Sequence, residues 1–420
     1  MFKFIHAADL HIDSPLKGLD NYEEAPVEEI RGATRRALEN LVNLAIEEKV
    51  SFVLFAGDIY DGDWPDFNTG LFFIKQMSRL QSKGIEVYMV AGNHDAENKM
   101  TKKLPMPKNV YMFSSKKSET VLIDELELAI HGQSFATGYT TENLASGFPA
   151  SKNNYFNVGL LHTSVDGREG HDDYSPCTLN DLINKGYDYW ALGHIHKREV
   201  LNEEPMIIFP GNTQGRHARE TNQKGCTLIT VNNGKIEAAD HHSLDVLRWV
   251  RCEINVSGVE NSEEILDLLK EALDRDVTEN SERTLAIRIV VIGETKAHYE
   301  IHRDTDNFVN ECRAQVLSAF GEDIWVEKVK IETTPPVGTD SNLDDQNLIR
   351  GILKRIEDIS SDDDELGTII KQLAEFKRKL PPEISQGDEP FELANPLVIK
   401  EMLKYSGDLI CGKFMESDQE

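Results

Sequence analysis

Cysteine is scarce in this chain, with 5 among 420 residues. The five are far apart and none forms a C-x-x-C pair, which argues against a disulfide framework and against a cysteine-ligated zinc site. Free cysteines are usually buried in folded proteins, and we expect buried free thiols here. They are Cys177, Cys226, Cys252, Cys312 and Cys411.

Long hydrophobic runs are also missing. No stretch approaches the roughly 18 consecutive apolar residues of a membrane-spanning helix. The N-terminal segment reaches Asp9 and His11 too early for the apolar region of a secretory signal. The sequence therefore predicts a soluble, cytoplasmic protein with no membrane association. Its 40 % of hydrophobic residues are enough to bury a core.

Positive charge is in short supply. The chain has 45 Lys and Arg against 73 Asp and Glu, which gives a net charge of −28. Because phosphate binding normally rests on Lys and Arg, a general electrostatic attraction to nucleic acid is excluded. If the protein handles a polyanion, it must use bound metal ions, a local basic patch or a partner protein.

The order of apolar segments predicts an α/β protein with three parts. Strands and amphipathic helices alternate over the first two fifths, and the sequence becomes strand-rich from about residue 109, so we expect two packed sheets in an α/β sandwich over residues 1–242. Residues 245–335 resemble a small α+β domain. Residues 343–420 predict a helical tail after a linker rich in Pro, Gly and Thr. Its helices are expected near 346–358, 364–378 and 395–404.

Asp, His and Asn side chains follow five predicted strands, at the points where these strands end. Ligands of α/β sheets bind at the carboxyl ends of strands, so these side chains would meet in one crevice. Each motif alone is weak, because a lone buried His is usually structural. Their ordered combination is specific. The residues are Asp9, His11, Asp58, Asn93, His94, Asp95, His162, His194 and His196.

The chemistry of this set suits two divalent cations. Mixed carboxylate, imidazole and amide ligands favour Mn, Fe or Zn over the all-oxygen sites of Ca or Mg. Alternate residues of an extended segment share a face, so Asp9 and His11 would point the same way, as would His194 and His196. Tight turns at the strand ends would be allowed by Gly57, Gly92 and Gly193.

These motifs resemble those of the calcineurin-like metallophosphoesterase superfamily. Within it, the chain is similar to the SbcD-type DNA repair exonucleases, and most of all to their YhaO-like bacterial branch. The resemblance covers about residues 1–240, and beyond 245 it is one of architecture only. It rests on FIHAADLHIDSP, FAGDIYD, VAGNHD, LLHTS, YWALGHIHK and FPGNTQGRHARE.

The resemblance implies a two-sheet metallophosphoesterase core with a capping domain and a tail, and an Mn-dependent DNA exonuclease and endonuclease. It also implies the metal ligands. The first cation would be held by Asp9, His11, Asp58 and His196, and the second by Asp58 as a bridge, Asn93, His162 and His194.

The resemblance gives His94 a catalytic role instead of a ligand role. His94 would stabilise the transition state or protonate the leaving oxygen. Asp95 would orient His94 through a hydrogen bond, and its alternative role is to cap a turn. Relatives from archaea and eukaryotes have a His where this chain has Asp61, and the role of Asp61 stays open.

A basic loop follows another predicted strand. Arg216, His217 and Arg219 would contact DNA near the metals, because Arg suits bidentate phosphate binding. Ion pairing with Glu220 is the equally weighted alternative. Loop 164–175, which contains Asp166, Arg168, Glu169 and His171, is interpreted as a solvated lid.

The resemblance also implies partners. An SbcC-like, SMC-type ATPase with a coiled coil would hold the DNA, and the tail would dock on it. Packing of the tail on its own capping domain is the alternative. Two copies would pair through the apolar helix near 67–82. Other functions remain open: a phosphatase or small-molecule phosphodiesterase of the same superfamily, or a non-catalytic scaffold.

Overall fold

A computed structural model describes residues 1–14, 32–61, 67–97, 105–167, 174–280, 283–321, 324–336, 347–377 and 395–417. These residues divide into two compact units. The first unit reaches Arg248, and the second unit begins at Trp249. Within the described ranges no helix is long and apolar enough to cross a membrane. All five cysteines are buried and free, as the sequence predicts.

The first unit consists of strands and short connecting helices. Its described helices are α1 (Ala33–Glu47), α2 (Asn68–Gln81), α3 (Asn93–Glu97) and α4 (Leu179–Ile183). Its described strands are β1 (Phe2–Ala7), β2 (Phe52–Ala56), β3 (Glu86–Val90), β4 (Val110–Met112), β5 (Glu119–Ile123), β6 (Leu128–Gln133), β7 (Phe156–His162), β8 (Tyr189–Gly193), β9 (Glu199–Glu203), β10 (Met206–Phe209), β11 (Gly225–Asn232) and β12 (Lys235–Ser243).

These strands form two six-stranded mixed sheets. The first has the order β12-β11-β1-β2-β3-β4, with β1 to β4 parallel and β11 and β12 antiparallel at one side. The second has the order β5-β6-β7-β8-β10-β9, with antiparallel strands at its two edges. The two-sheet α/β sandwich predicted from the sequence is therefore confirmed.

The core of the first unit lies in three layers. Residues of α1 and α2 cover one face of the first sheet, and aromatic side chains fill the space between the sheets. There the rings of Phe4 and Phe52 stack with centroids 4.9 Å apart, and Tyr189 of the second sheet meets Phe4 edge-on. A third cluster covers the far face of the second sheet. Strands buried on both faces have nearly continuous apolar sequences, such as FVLFA in β2.

Two strands lie in a different sheet from the one predicted. The strand-rich sequence after residue 109 predicts that VYMF and GCTLITV belong to the second sheet, but β4 pairs with β3 and β11 pairs with β1 in the first. The physical reason is that the run of short strands after residue 109 indicates strand content but not pairing. Pairing depends on contacts between distant residues, such as Phe4 with Ile229.

The second unit combines a three-stranded sheet with helices. The sheet has the order β13 (Leu247–Asn255), β14 (Thr284–Glu294) and β15 (Ile324–Thr334), and β13 spans the change from the first unit to the second. The described helices of this unit are α5 (Ser262–Glu279), α6 (His298–Arg303), α7 (Thr305–Phe320), α8 (Asn347–Ser361), α9 (Asp363–Lys377) and α10 (Pro396–Ser417).

The C-terminal helix α10 extends beyond its predicted end near residue 404. It packs on α6 of the small α+β domain and on α8. Cys411 of α10 lies against Tyr299 of α6, and Leu353 of α8 packs on the same pair. This face of the tail is therefore covered by the tail's own unit, which corresponds to the second of the two predicted alternatives.

Candidate metal centre

Strand ends of both sheets lead to the predicted metal-binding side chains. Asp9 follows β1, Asp58 follows β2 and Asn93 follows β3 in the first sheet. In the second sheet, His162 is the last residue of β7 and His194 follows β8. Ligand atoms of Asp9, Asp58 and His162 lie within 4.8 Å of one another. The ends of the two sheets therefore meet at one place.

Several of these residues have a backbone conformation that L-amino acids rarely adopt. The φ angles of Asp9, His11, Asp58 and His194 are 52°, 42°, 51° and 113°. Such conformations cost about 1–3 kcal/mol each and cluster at functional sites. Here the backbone holds them: Asp9 N–H donates to Gly57 O at 3.0 Å, and His11 N–H donates to Asp58 O at 3.1 Å. The side chains are thus positioned before any ligand binds.

Two glycines let the loops approach the site closely. Gly57 has a φ of +93°, and a Cβ there would lie 2.6 Å from His162 Nδ1. A Cβ at Gly92 would overlap the carboxylate of Asp58. A larger residue at either position would therefore displace a predicted ligand.

Asp9, His11 and His196 form the first candidate metal site. One ligand atom from each lies within 4.8 Å of the others. His11 Nε2 and His196 Nε2 are 3.2 Å apart. Two imidazole nitrogens that bind one cation at right angles are about 3 Å apart, given metal–nitrogen distances of about 2.0–2.1 Å. Burial, and next the nearby Arg216, lower the pKa of His11, which keeps its ring neutral and able to bind a cation.

A carboxylate outside the predicted set orients His196. Glu220 Oε1 lies 2.6 Å from His196 Nδ1, which directs Nε2 of that ring toward the site. Glu220 is buried, which would raise its pKa, but its contacts with His196 and Arg216 lower the pKa well below the usual value. A charged carboxylate behind a metal-binding imidazole raises the basicity of the ligand and fixes its orientation.

The second candidate site surrounds Asp58. His162 donates from Nδ1 to Ala56 O at 2.9 Å, so its Nε2 carries the lone pair. This Nε2 lies 3.0 Å from Asn93 Oδ1 and 3.4 Å from Asp58 Oδ2. Burial lowers the pKa of His162 to about 3, so the ring is neutral. Three lone-pair donors that point at one another suit a shared cation.

Burial disfavours the charged forms of the two central carboxylates, Asp9 and Asp58. Burial, and then the charge of Asp58, raise the pKa of Asp9 well above its usual value. Burial raises the pKa of Asp58 to about 6. Positive charge between two such groups would favour their ionised forms. The donor atoms present therefore fit two divalent cations that share this site.

His194 is close to this centre, but its ring differs from those of the other predicted ligands in its neighbours. Its backbone N–H donates to both carboxylate oxygens of Asp9, at 3.1 and 3.0 Å. Its ring centroid lies 5.4 Å from the rings of His162 and Tyr174. Among the described residues, the groups of ligand atoms within 4.8 Å of one another do not include His194. Its predicted role as a ligand stays a prediction.

His94 differs from the other imidazoles in its exposure. Its side chain is 37 % exposed, whereas that of His11 is 1 % exposed. His94 Nδ1 lies 3.3 Å from Asp61 Oδ1, and its backbone N–H donates to Asp58 Oδ1 at 3.0 Å. The exposed ring beside the cation sites suits a residue that meets a substrate. One of its ligand atoms also lies within 4.8 Å of those of His11 and Asp58.

Asp95 acts on the backbone of this region. Its buried carboxylate accepts hydrogen bonds from the N–H groups of Ile59, Tyr60 and Gly92, at 3.0 to 3.2 Å. Burial, and next the charge of Asp58, raise its pKa to about 7. These bonds correspond to the turn-capping alternative, and they hold the loop that carries Asp58.

Asp61 connects several side chains at the centre, a role that the sequence left open. It accepts a hydrogen bond from Ser14 Oγ at 2.7 Å and lies near His94, His11 Nδ1 at 3.4 Å and Arg216 Nη1 at 3.7 Å. Burial would raise its pKa, but the contacts with His11 and Ser14 outweigh this and lower it. Asp61 is thus an ionised anchor for His94.

The basic loop is largely engaged with Glu220. Arg216 Nη2 lies 3.2 Å from Glu220 Oε1, and His217 Nε2 lies 3.5 Å from the same atom. Arg219 is exposed. For Arg216 and His217 the geometry matches the ion-pairing alternative. In loop 164–175, Asp166 accepts a hydrogen bond from Leu179 N–H, and Arg168, Glu169 and His171 lie outside the described residues.

Sequence reasoning left Glu220, Asp61 and Tyr174 out of the predicted site. A signal existed for Glu220, since it follows Arg216 by four residues within the motif GNTQGRHARE. Nothing in the sequence context of Tyr174 indicates its contact with His194.

Comparisons with known proteins agree with this geometry. The family description "Calcineurin-like phosphoesterase" matches residues 2–198, and "Metallophosphoesterase YhaO, middle domain" matches residues 249–334. The chain is 37 % identical to the uncharacterized metallophosphoesterase YhaO of Bacillus subtilis over 294 residues, which is 69 % of this chain and 71 % of that protein.

More distant relatives are also found. The chain is 23 % identical to the DNA double-strand break repair protein Mre11 of Sulfolobus acidocaldarius, over 65 % of this chain and 72 % of that protein. Among solved structures, a dimetal phosphatase from Danio rerio aligns with 55 % of this chain and 93 % of its own, at 13 % identity and a TM-score of 0.35.

Proposed function

We propose that this chain, which belongs to the YhaO-like family of calcineurin-like metallophosphoesterases, hydrolyses phosphodiester bonds of DNA with two Mn ions. The observation that carries the proposal is that the two candidate sites adjoin: ligand atoms of Asp9 lie within 4.8 Å of those of His11 and His196, and also of those of Asp58 and His162. The relatives named DNA double-strand break repair protein support DNA as the substrate.

In this proposal the chain's own residues position the reaction. Two bound cations would supply Lewis-acid activation of the phosphodiester and of a water molecule. Asp58 faces both sites. The N–H groups of Ile59 and Tyr60 donate hydrogen bonds to Asp95, and these bonds hold the loop that carries Asp58 in place. His94 is fixed at Nδ1 by Asp61, so its other nitrogen is directed to the solvent side, where it can give a proton to the leaving oxygen.

The charge of the chain supports a partner for DNA binding. The net charge is −28, and the guanidinium of Arg216 beside the centre is paired with Glu220 and Asp61. An acidic nuclease has little charge of its own to hold a polyanion. We therefore propose an SbcC-like, SMC-type ATPase as the DNA-holding partner, in a DNA repair or processing role.

The tail can still serve as the dock for this ATPase through its uncovered side. One face of α10 is buried on α6, but Leu397 and Met402 are exposed by 69 % and 37 %. The sequence of α8 clusters the apolar residues Leu348, Ile349, Ile352, Leu353 and Ile356, which suits such a dock; Ile352, Leu353 and Ile356 are half-buried, and the side chains of Leu348 and Ile349 lie outside the described ones.

Pairing of two copies would use the exposed side of α2. Phe73 and Met77 of this helix are buried against the first sheet, whereas Phe67 and Leu71 are exposed by 44 % and 54 %. Exposed large apolar side chains next to each other favour an interface. We propose a homodimer through Phe67 and Leu71.

The test compares linear duplex DNA, bis-p-nitrophenyl phosphate and p-nitrophenyl phosphate as substrates, with Mn, with Mg and after chelation. Hydrolysis of the diester and of DNA with Mn is expected for the wild type and for the control Asp240→Asn, whose side chain is exposed on β12. Asp58→Asn should lose both activities.

The other outcomes separate the remaining functions. Hydrolysis of the monoester with intact DNA would identify the phosphatase alternative. A chain that binds cations but hydrolyses neither ester would be a scaffold.

A further inference from the structure

A second cluster of metal-binding side chains lies in the second unit, apart from the catalytic residues. His298 and His302 are one helical turn apart on α6, and Asp408 lies on α10. All three side chains belong to buried residues, exposed by 0 %, 3 % and 8 %. Residues four apart on a helix share one face, so both rings can face α10.

The atoms of this cluster converge. His298 Nε2 lies 3.3 Å from Asp408 Oδ1, and the rings of His298 and His302 have centroids 4.5 Å apart. One ligand atom of each residue lies within 4.8 Å of the other two. The Oγ1 atom of Thr333 on β15 lies 2.8 Å from His298 Nδ1, which orients the ring so that Nε2 faces the cluster. This contact matches the outer hydrogen bond that usually supports a metal-binding His.

The polar atoms of the cluster are not satisfied by the described protein. His298 Nε2 and both ring nitrogens of His302 are buried and have no hydrogen-bond partner among the described residues. Burying such groups without a partner is costly, so they call for a water molecule or an ion.

We propose that His298, His302 and Asp408 bind one divalent transition-metal ion, with zinc as the best fit, and that this ion fastens α10 to the small α+β domain. Two imidazoles and a carboxylate are a common ligand set for zinc, and three protein ligands leave a fourth position for water. The ligands come from two helices, and His302 and Asp408 are 106 positions apart in the chain. Metal binding would therefore be coupled to the docking of the tail helix.

The experiment measures bound zinc per chain after equilibrium dialysis of the full-length protein. The wild type is expected to hold one ion more than His302→Ala and Asp408→Asn. The matched control is Glu401→Gln, which changes an exposed carboxylate on the same helix and should keep the wild-type zinc content. Zinc should also protect α10 from limited proteolysis in the wild type and in the control, and not in the two variants.

Catalytic metals are separated from this ion with the variant Asp58→Asn, which changes only the first unit. It should keep the zinc that depends on Asp408. Folded Asp408→Asn protein with the zinc content of the wild type would overturn the proposal. If neither His302→Ala nor Asp408→Asn folds, the number of ions bound by the wild type decides the question. A wild-type chain that binds no more than the two ions expected at the catalytic centre would also overturn the proposal. Failure of DNA hydrolysis bears only on the proposed nuclease function.

Discussion

The two clusters of metal-binding side chains differ in what holds their residues. In the first unit most predicted ligands lie at or just after the ends of strands, and three of them, Asp9, His11 and Asp58, have left-handed backbone conformations fixed by hydrogen bonds. In the second unit the proposed ligands lie on helices, and one helix must dock before Asp408 reaches the histidines. The first site is therefore formed by the fold itself, whereas the second depends on a helix–helix contact.

The largest expected effect comes from Asp58→Asn. Asn tolerates the left-handed conformation at this position, so the loop should survive while the central charge is lost. Diester hydrolysis should fall to background, and metal content should drop in the first unit only, as measured by metal analysis of the purified protein. Retention of full activity would contradict the role of Asp58 between two cations.

A smaller loss is expected for His94→Ser. This change removes the half-exposed imidazole and leaves the buried ligands in place, so turnover should fall by about 10²–10⁴-fold, the usual contribution of a general acid. Bound metal should be unchanged. Loss of metal in proportion to activity would make His94 a ligand, which its distance to His11 and Asp58 also allows. Kinetics and metal content measured on the same preparation separate the two roles.

Glu220→Gln tests the support behind the first site. The amide cannot supply the charge that holds His196, so metal affinity should weaken by about 10–100-fold, which is typical for the loss of an outer-shell carboxylate. Titration with Mn would show a higher concentration at half-maximal activity and a similar maximal rate. The matched control is Glu203→Gln, which changes an exposed carboxylate on β9 and should titrate as the wild type does.

Gly412→Leu should act on the second unit alone. A Cβ at Gly412 would lie 2.5 Å from Tyr299 O, so a larger side chain would push α10 away from α6. Overpacking of this kind costs about 1–3 kcal/mol. The free energy of unfolding of the second unit should fall, and zinc binding should weaken, while diester hydrolysis stays at the wild-type level. If zinc binding and diester hydrolysis fell equally, the second unit and the catalytic centre of the first would not be independent.

The smallest expected effect on the isolated protein concerns Leu71→Glu. The exposed Leu71 is proposed to pair two copies, and a charge there should shift the protein to monomers. Light scattering at micromolar concentration would detect the change, and diester hydrolysis should remain. A wild type that is already monomeric would contradict the dimer. The partly buried Ile74→Val, which keeps an apolar side chain, is a suitable control.

The side chains predicted as ligands can be recognised in the sequence because most of them come at or directly after the ends of strands. An apolar run that ends in Asp or His reveals both the strand and the direction of the side chain, as for Asp58 after FVLFA. The same pattern does not mark His6, which is buried within β1 and contacts Tyr189 and Leu192 O as a structural residue. Position relative to the strand end separates the two kinds of His.

Roles that depend on distant contacts could not be predicted in this way. Asp61 is near Arg216, which is 155 positions away in the chain, and a local motif carries no information about that contact. The docking of α10 on α6 is similar, since Cys411 and Tyr299 become neighbours only in the folded unit. The domain boundaries proposed from the sequence remain a prediction, although the observed units change at Arg248.

The left-handed backbone at Asp9, His11 and Asp58 limits how this centre could be transferred to another scaffold. A designer who copies only the side chains onto ordinary loops would place Asp9, His11 and Asp58 in the wrong direction. The loops must be copied as whole segments, together with Gly57, Gly92 and the Asp95 that holds their amides. Transfer of this centre to another scaffold therefore requires whole backbone segments and not single side chains.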